Sequence, residues 1–245
     1  MIRLAEVPWS EARRALPEGF LALLPVGSTE AHGPHLPLGS DVVIAAAMAE
    51  NAAARLEAAG HAVALLPALP YGVTECAGEF FGTLSIAPAT LQALLLDLAR
   101  SLQRHGCGRL GIANGHLEPD HRRALRVAAE AATSSGLRTA CPDVVRGLYA
   151  KRLGAEFVSG ACHAGSYEGS IVLAARPEQV REGLRRALPE NPISLGAALA
   201  AGHRTFRAAG GPEAYFGAPA AADPAAGRDF IATLGAILAE EMEAP

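Results

Sequence analysis

The chain has 245 residues, of which 50% are hydrophobic and 19% charged, with a net charge of −4. That length suits one large α/β domain or two small ones with a sizeable core, and the composition excludes a disordered chain. Scattered Lys and Arg give no basic face for nucleic acid, and no apolar run reaches the ~18 residues a membrane span needs. The segment Met1–Glu6 lacks the basic-then-apolar pattern of a secretory leader. The four cysteines, Cys76, Cys107, Cys141 and Cys162, form no CxxC pair. Reduced thiols in a cytoplasm are therefore expected.

In chain order, Phe20–Val26 reads as a buried strand. Asp41–Gly60 reads as a helix, with Ile44, Met48, Ala52 and Leu56 on one face at four-residue steps. His61–Leu66 is the next strand. Pro67–Ser85 holds too much Gly and Pro for regular structure, and long loops of this kind are frequently functional. Leu91, Leu94, Leu95, Leu98 and Leu102 mark a helix stopped by Gly106. Arg109–Ala113 is a strand and Asn114–Glu118 a turn. Pro119 opens a helix that runs to about Gly136. Leu137–Val144 and Ser170–Ala174 are weaker strand candidates, and Ala218–Ala226, broken by Pro219 and Pro224, reads as loop. Phe230, Ile231, Leu234, Ile237, Leu238 and Met242 belong to a final helix. Strand–helix alternation without a separating linker implies a single α/β domain over 1–245, with a mostly parallel sheet flanked by helices.

Three polar clusters interrupt this pattern: Glu30, His32, His35 and Asp41; Asn114, His116 and Glu118; and Cys162-His163-Ala164-Gly165-Ser166-Tyr167-Glu168. The first two directly follow predicted strands, and in a parallel sheet such residues converge on one rim, where ligands bind. Each has a plain structural reading. Asp41 suits a helix N-cap, Asn114-Gly115 a turn, and Glu118 the positive end of the next helix. Taken together they hold more carboxylate and imidazole than turns require, and that mixture suits zinc, manganese or ferrous iron. His61, His105, His121 and His203 read as packing or hydrogen-bonding residues.

Gly27-Ser28-Thr29-Glu30-Ala31-His32-Gly33-Pro34-His35-Leu36-Pro37, followed by Asp41, resembles the first signature of the creatininase family of metal-dependent amidohydrolases. Asn114-Gly115-His116 resembles the second, and His163-Ala164-Gly165 with Glu168 and Ser170 the third. Phe81–Ser85 and Gly217–Gly227 are similar to further family landmarks. The resemblance implies two divalent ions per chain. Glu30, Asp41 and Glu118 would bind one; His32, Asp41, His116 and Glu168 would bind the other, with Asp41 bridging. His163 would transfer protons. It further implies a homo-oligomer, hexameric in many members.

The implied reaction is hydrolysis of a C–N amide bond, cyclic amide or formamide, in a small molecule. The alternatives are trimming of a short modified peptide in cofactor maturation and a non-catalytic, metal-stabilised binding role. Glu79, Leu117 and Cys162 are the expected substrate contacts. Leu117-Glu118 follows Asn-Gly-His where many relatives have Gly-Gly and where creatinine hydrolases have an aromatic and a Glu. The segment before His163 lacks the Trp and acidic residues that hold creatinine, and the only tryptophan is Trp9. Gly169 stands where relatives commonly have Thr.

Overall fold

The computed structural model describes residues 1–244. In chain order it comprises β1 (Ile2–Arg3), α1 (Trp9–Ala15), β2 (Leu21–Val26), α2 (Ser40–Ala58), β3 (Val63–Leu65), α3 (Pro88–Arg104), β4 (Arg109–Asn114) and α4 (Pro119–Ser134). Then follow β5 (Arg138–Ala140), α5 (Gly147–Ala150), α6 (Ala155–Ser159), α7 (Ser166–Ala175), α8 (Glu182–Ala187), α9 (Leu195–Ala200) and α10 (Pro224–Glu243). The five strands form one parallel sheet in the order β1-β3-β2-β4-β5.

Alternation along β2 explains the two helical layers, because successive side chains leave opposite faces of a strand. Leu21 and Leu23 join a core with Ile44, Met48 and Leu56 of α2, Ile171 of α7, and Leu234 and Leu238 of α10. Ala22, Leu24 and Val26 join a second core with Leu91 and Leu95 of α3 and Leu125 and Ala128 of α4. Both faces are covered, so β2 is buried at every position. This is why it reads as an unbroken apolar run.

Three expectations are corrected. Ser170–Ala174 is not a strand but lies in α7, which packs against α2 and α10 and is apolar on most sides. Leu137–Val144 contributes only the three-residue β5. The loop around Ala218 ends at Pro224, the first residue of α10, whose N-terminus Asp223 caps by accepting from the Ala226 amide at 2.9 Å. The sequence reading also omitted β1 and α1.

Candidate metal centre

Register brings the clusters together. Val26 at the end of β2 lies beside Asn114 at the end of β4, so the segments that follow, carrying Glu30 and His32 on one side and His116 on the other, start as neighbours. The Glu30 amide donates to Leu38 O at 2.9 Å, folding the first motif back toward α2. Asp41 occupies the first turn of α2 and Glu168 the first turn of α7. Gly115 permits a close approach here. A Cβ there would lie 2.2 Å from the Asp41 carbonyl oxygen and 3.0 Å from the Ala45 nitrogen. Only a residue without a side chain lets α2 begin against the His116 turn.

The result is a buried cluster. Glu30, His32, Asp41, His116 and Glu168 are each at most 3% exposed, and His163 is 7% exposed. His32 Nε2 lies 3.1 Å from Asp41 Oδ1, 3.5 Å from Glu168 Oε2 and 3.8 Å from Glu30 Oε1. His116 Nδ1 lies 3.0 Å from Asp41 Oδ2 and 3.3 Å from Glu30 Oε1. His163 Nδ1 faces Glu30 Oε1 at 3.7 Å and Glu168 Oε2 at 3.9 Å. Three ligand-distance groups result: Glu30–Asp41–His116, His32–Asp41–Glu168 and Glu30–His32–His163. Asp41 belongs to two of them through different oxygens.

The donor set fits divalent ions. Ligands ~2.1 Å from a common centre at tetrahedral or octahedral angles stand ~3.0–3.4 Å apart, close to the spacings around Asp41. The histidine orientations agree. His32 Nδ1 donates to Glu30 O at 3.1 Å, His116 Nε2 to Val73 O at 2.8 Å, and His163 Nε2 to Ala31 O at 3.0 Å. A carbonyl can only accept, so in each neutral ring the inward nitrogen carries the lone pair, the arrangement metal-ligating histidines adopt. Asp41 Oδ2 is buried and makes no aligned hydrogen bond, although His116 Nδ1 is close.

Without a cation, protons take up this role. Burial opposes charge on His32, but Asp41, Glu168 and Glu30 outweigh it and raise the imidazole to about 10. His116 is likewise raised well above its usual value, against burial, by Glu30 and Asp41. Burial also opposes charge on Glu30 and Asp41. It is overcome for Glu30 by His116, and for Asp41 by His32 and His116, so both stay below the ordinary carboxylate range. Burial pushes Glu168 up to about 8. Burial and the charge on His32 lower His163 to about 4, keeping it neutral near pH 7.

The remaining expected residues lie outside these groups. Glu118 accepts from the amides of Glu75 and Cys76 at 3.1 and 3.0 Å, tying the Pro67–Ser85 loop to the start of α4, and burial raises its pKa. His116 is grouped with Glu30 and Asp41, not with His32 and Glu168 as the resemblance implied. His35 is fully buried, edge-on to Tyr215, with both ring nitrogens unpartnered. Leu117 and Cys162 are half-buried and pack against the core that contains α2 and α10. Glu79 is exposed.

Sequence reasoning missed Thr74, whose hydroxyl donates to Glu30 Oε2, although it lies in the loop singled out as functional. It also missed Glu156, whose carboxylate accepts from the amides of Ser166, Tyr167 and Ala218 at 3.0, 2.8 and 2.8 Å. Glu156 thereby secures the start of α7, which carries Glu168. Ala164 adopts φ +53°, and its amide donates to Glu168 Oε2 at 2.7 Å. The turn and the carboxylate hold each other.

Carboxylates and imidazoles converging at the carboxyl rim of a helix-covered parallel sheet define a metal-dependent hydrolase of the α/β class. The family model described as creatininase, creatinine amidohydrolase, matches residues 5–242. The chain belongs to the creatininase family. It is 34% identical over 220 residues to a mycofactocin precursor peptide peptidase of Mycobacterium tuberculosis, covering 86% of this chain and 80% of the relative. It is 35% identical over 121 residues to a creatinine amidohydrolase of Pseudomonas putida, covering 47% and 45%. The crystal structure of a creatinine amidohydrolase superposes with TM-score 0.77 at 24% identity, covering 98% of this chain and 95% of that one. A manganese form of creatininase superposes with TM-score 0.76 at 22% identity, covering 100% and 99%, and a Zn-Zn form of a mutant with 0.73 at 22%, covering 99% and 98%. Among the described residues no helix is long and apolar enough to cross a membrane, and all four cysteines are free.

Proposed function

We propose that this chain hydrolyses a C–N amide bond in a short peptide, using a pair of divalent ions, zinc, manganese or iron. Glu30, Asp41 and His116 would hold one ion and His32, Asp41 and Glu168 the other, with Asp41 shared through its two oxygens. Such ions supply positive charge that polarises a carbonyl and acidifies water. The single observation carrying the reading is that all three histidines commit their outer nitrogen to a backbone carbonyl and turn the inner one toward shared carboxylates.

His163 would handle the proton. Its Nε2–H is anchored on Ala31 O, so Nδ1 is the atom that takes a proton from the attacking water. The same atom returns it to the departing amide nitrogen, and the products are a carboxylic acid and an amine. Burial of the cluster excludes bulk water and strengthens the interactions inside it. The peptide reading is supported by the relative matched over most of the chain. Trp9, the only tryptophan, lies in α1 and is 82% exposed, so the buried cluster has no tryptophan to hold a flat ring. Glu118 favours a second reading, a small cyclic amide, because it keeps a carboxylate two residues after His116, as creatinine hydrolases do.

The test is to load the protein separately with zinc, manganese and iron and to supply short peptides, cyclic amides and formamides, with products read by mass spectrometry. New peptide termini are expected. Ring opening without peptide cleavage would establish the second reading. A fully metal-loaded protein that turned over none of these would be a binding protein.

A further inference from the structure

His121, in the first turn of α4, is fully buried and has no part in the proton transfers above. Its ring stands edge-on to that of His116, with centroids 4.7 Å apart and planes at 71°. The Val73 amide donates to His121 Nδ1 at 3.2 Å. Because an amide N–H can only donate, Nδ1 is unprotonated and the proton resides on Nε2. That nitrogen faces Asn114 Oδ1 at 3.1 Å. Asn114 Oδ1 also accepts from the His116 amide at 3.1 Å, while Nδ2 donates to His116 O at 2.7 Å. These contacts fix the Asn114 amide orientation and leave no ambiguity about which ring nitrogen of His121 donates.

The circuit closes on His116, whose Nε2 donates to Val73 O at 2.8 Å. His121 and His116 therefore grip opposite sides of Val73, one its N–H and the other its C=O. Val73 lies in the irregular Pro67–Ser85 segment, where no strand or helix holds its peptide groups. The grip is close. A Cβ on the neighbouring Gly72 would lie 2.7 Å from His121 Nδ1 and Cε1. If Val73 O moved away, the His116 ring would lose the partner that keeps its proton on Nε2. Its Nδ1, the atom facing Glu30 and Asp41, could then carry the proton instead.

We propose that His121 is a positioning residue for the metal centre. By holding Val73 and Asn114 it keeps His116 as the Nε2–H tautomer and frees Nδ1 to ligate an ion with Glu30 and Asp41. The inference rests on the reading of the cluster as a metal centre, and it concerns binding rather than turnover.

The test combines zinc titration by calorimetry with nitrogen-15 spectra of the imidazoles. In the wild-type protein loaded with zinc, His121 is expected as neutral Nε2–H, and His116 as Nε2–H with Nδ1 coordinated. His121→Phe fills the space but offers neither donor nor acceptor. It should weaken zinc binding at one site about 10–100-fold, the usual cost of losing a partner behind a ligand, with the other site at wild-type affinity. His121→Gln, which keeps a donor and an acceptor, should recover most of that loss. Unchanged zinc binding in His121→Phe would overturn the proposal. So would equal impairment of the two variants, which would mean that only packing matters, or an Nδ1–H or charged His121 in the wild-type spectrum. If His121→Phe does not fold, the wild-type spectrum and His121→Gln decide the matter. A wild-type protein that bound no zinc would sink the metal reading and this proposal together, whereas zinc binding with the wrong His121 tautomer would sink this proposal alone.

Discussion

Gly115→Ala should open the metal centre without replacing any of its ligands. The added Cβ would lie 2.2 Å from the Asp41 carbonyl oxygen, whereas a carbon–oxygen contact settles at about 3.3 Å. The first turn of α2 and the His116 turn must therefore part by about 1 Å. Metal sites tolerate ligand displacements of about 0.2 Å, so the loss falls on the groups that contain Asp41. Overpacking of this kind costs about 1–3 kcal/mol, and at this chain length each kcal/mol lowers Tm by about 2–4 °C. The expected outcome is a folded protein with Tm lower by roughly 2–12 °C and divalent-ion affinity weakened at least about tenfold. Calorimetry with chelator present gives the first quantity and metal titration the second. Gly39→Ala is the control. Gly39 stands at the start of the same helix with φ −91°, and its added methyl meets nothing within 4 Å, so metal binding should not change. A Gly115→Ala protein with wild-type Tm and wild-type metal affinity would refute the idea that this close approach sets Asp41.

Two further outcomes follow from the histidines. His163→Ala should keep its metal and lose about 10²–10⁴-fold in turnover, the scale of general acid–base catalysis; metal loss in this variant would instead make His163 a ligand, as its grouping with Glu30 and His32 allows. The metal-free protein should lose stability as pH rises. His32 goes from 6.5 to about 10 and Glu168 from 4.5 to about 8 on folding, so each stabilises the fold below its unfolded value and loses that contribution as pH passes its folded value. Tm measured with chelator should therefore fall between pH 6 and about 10, and metal-loaded protein, with His32 and His116 already deprotonated, should show a flatter profile. Identical profiles would contradict the shared cage.

The sheet and its major helices were legible because burial writes itself into pattern. The strand at Leu21–Val26 is apolar throughout because both faces are covered, and α2 shows its buried face at four-residue steps. The same physics hid α7. A short helix packed against α2 and α10 has little polar face, so Ser170–Ala174 looks like a buried strand. The start of α10 carried its own signal, Asp223 before Pro224, and was masked by treating that proline as a breaker rather than a first-turn residue. In the candidate site, ligand types and their placement after strands were readable. The family resemblance placed His32, Asp41 and Glu168 together with Asp41 shared, as the structure groups them; that His116 joins Glu30 and Asp41 was not readable, because that depends on where Gly115 lets α2 dock. His121 was read as a packing or hydrogen-bonding histidine, which its bonds to Val73 and Asn114 bear out, but its partners could not be named, and Glu156 lay outside every motif. Residues that act by gripping backbone leave no spacing in the sequence.

The most direct test of the account is the divalent-ion content of purified wild-type protein beside Asp41→Asn. About two ions per chain are expected in the wild type. Because Asp41 belongs to both of the groups proposed to hold an ion, Asp41→Asn should lose both, whereas His116→Asn and Glu168→Gln should each lose one. A wild-type protein that binds no divalent ion, or an Asp41→Asn protein that keeps the full complement, would contradict it.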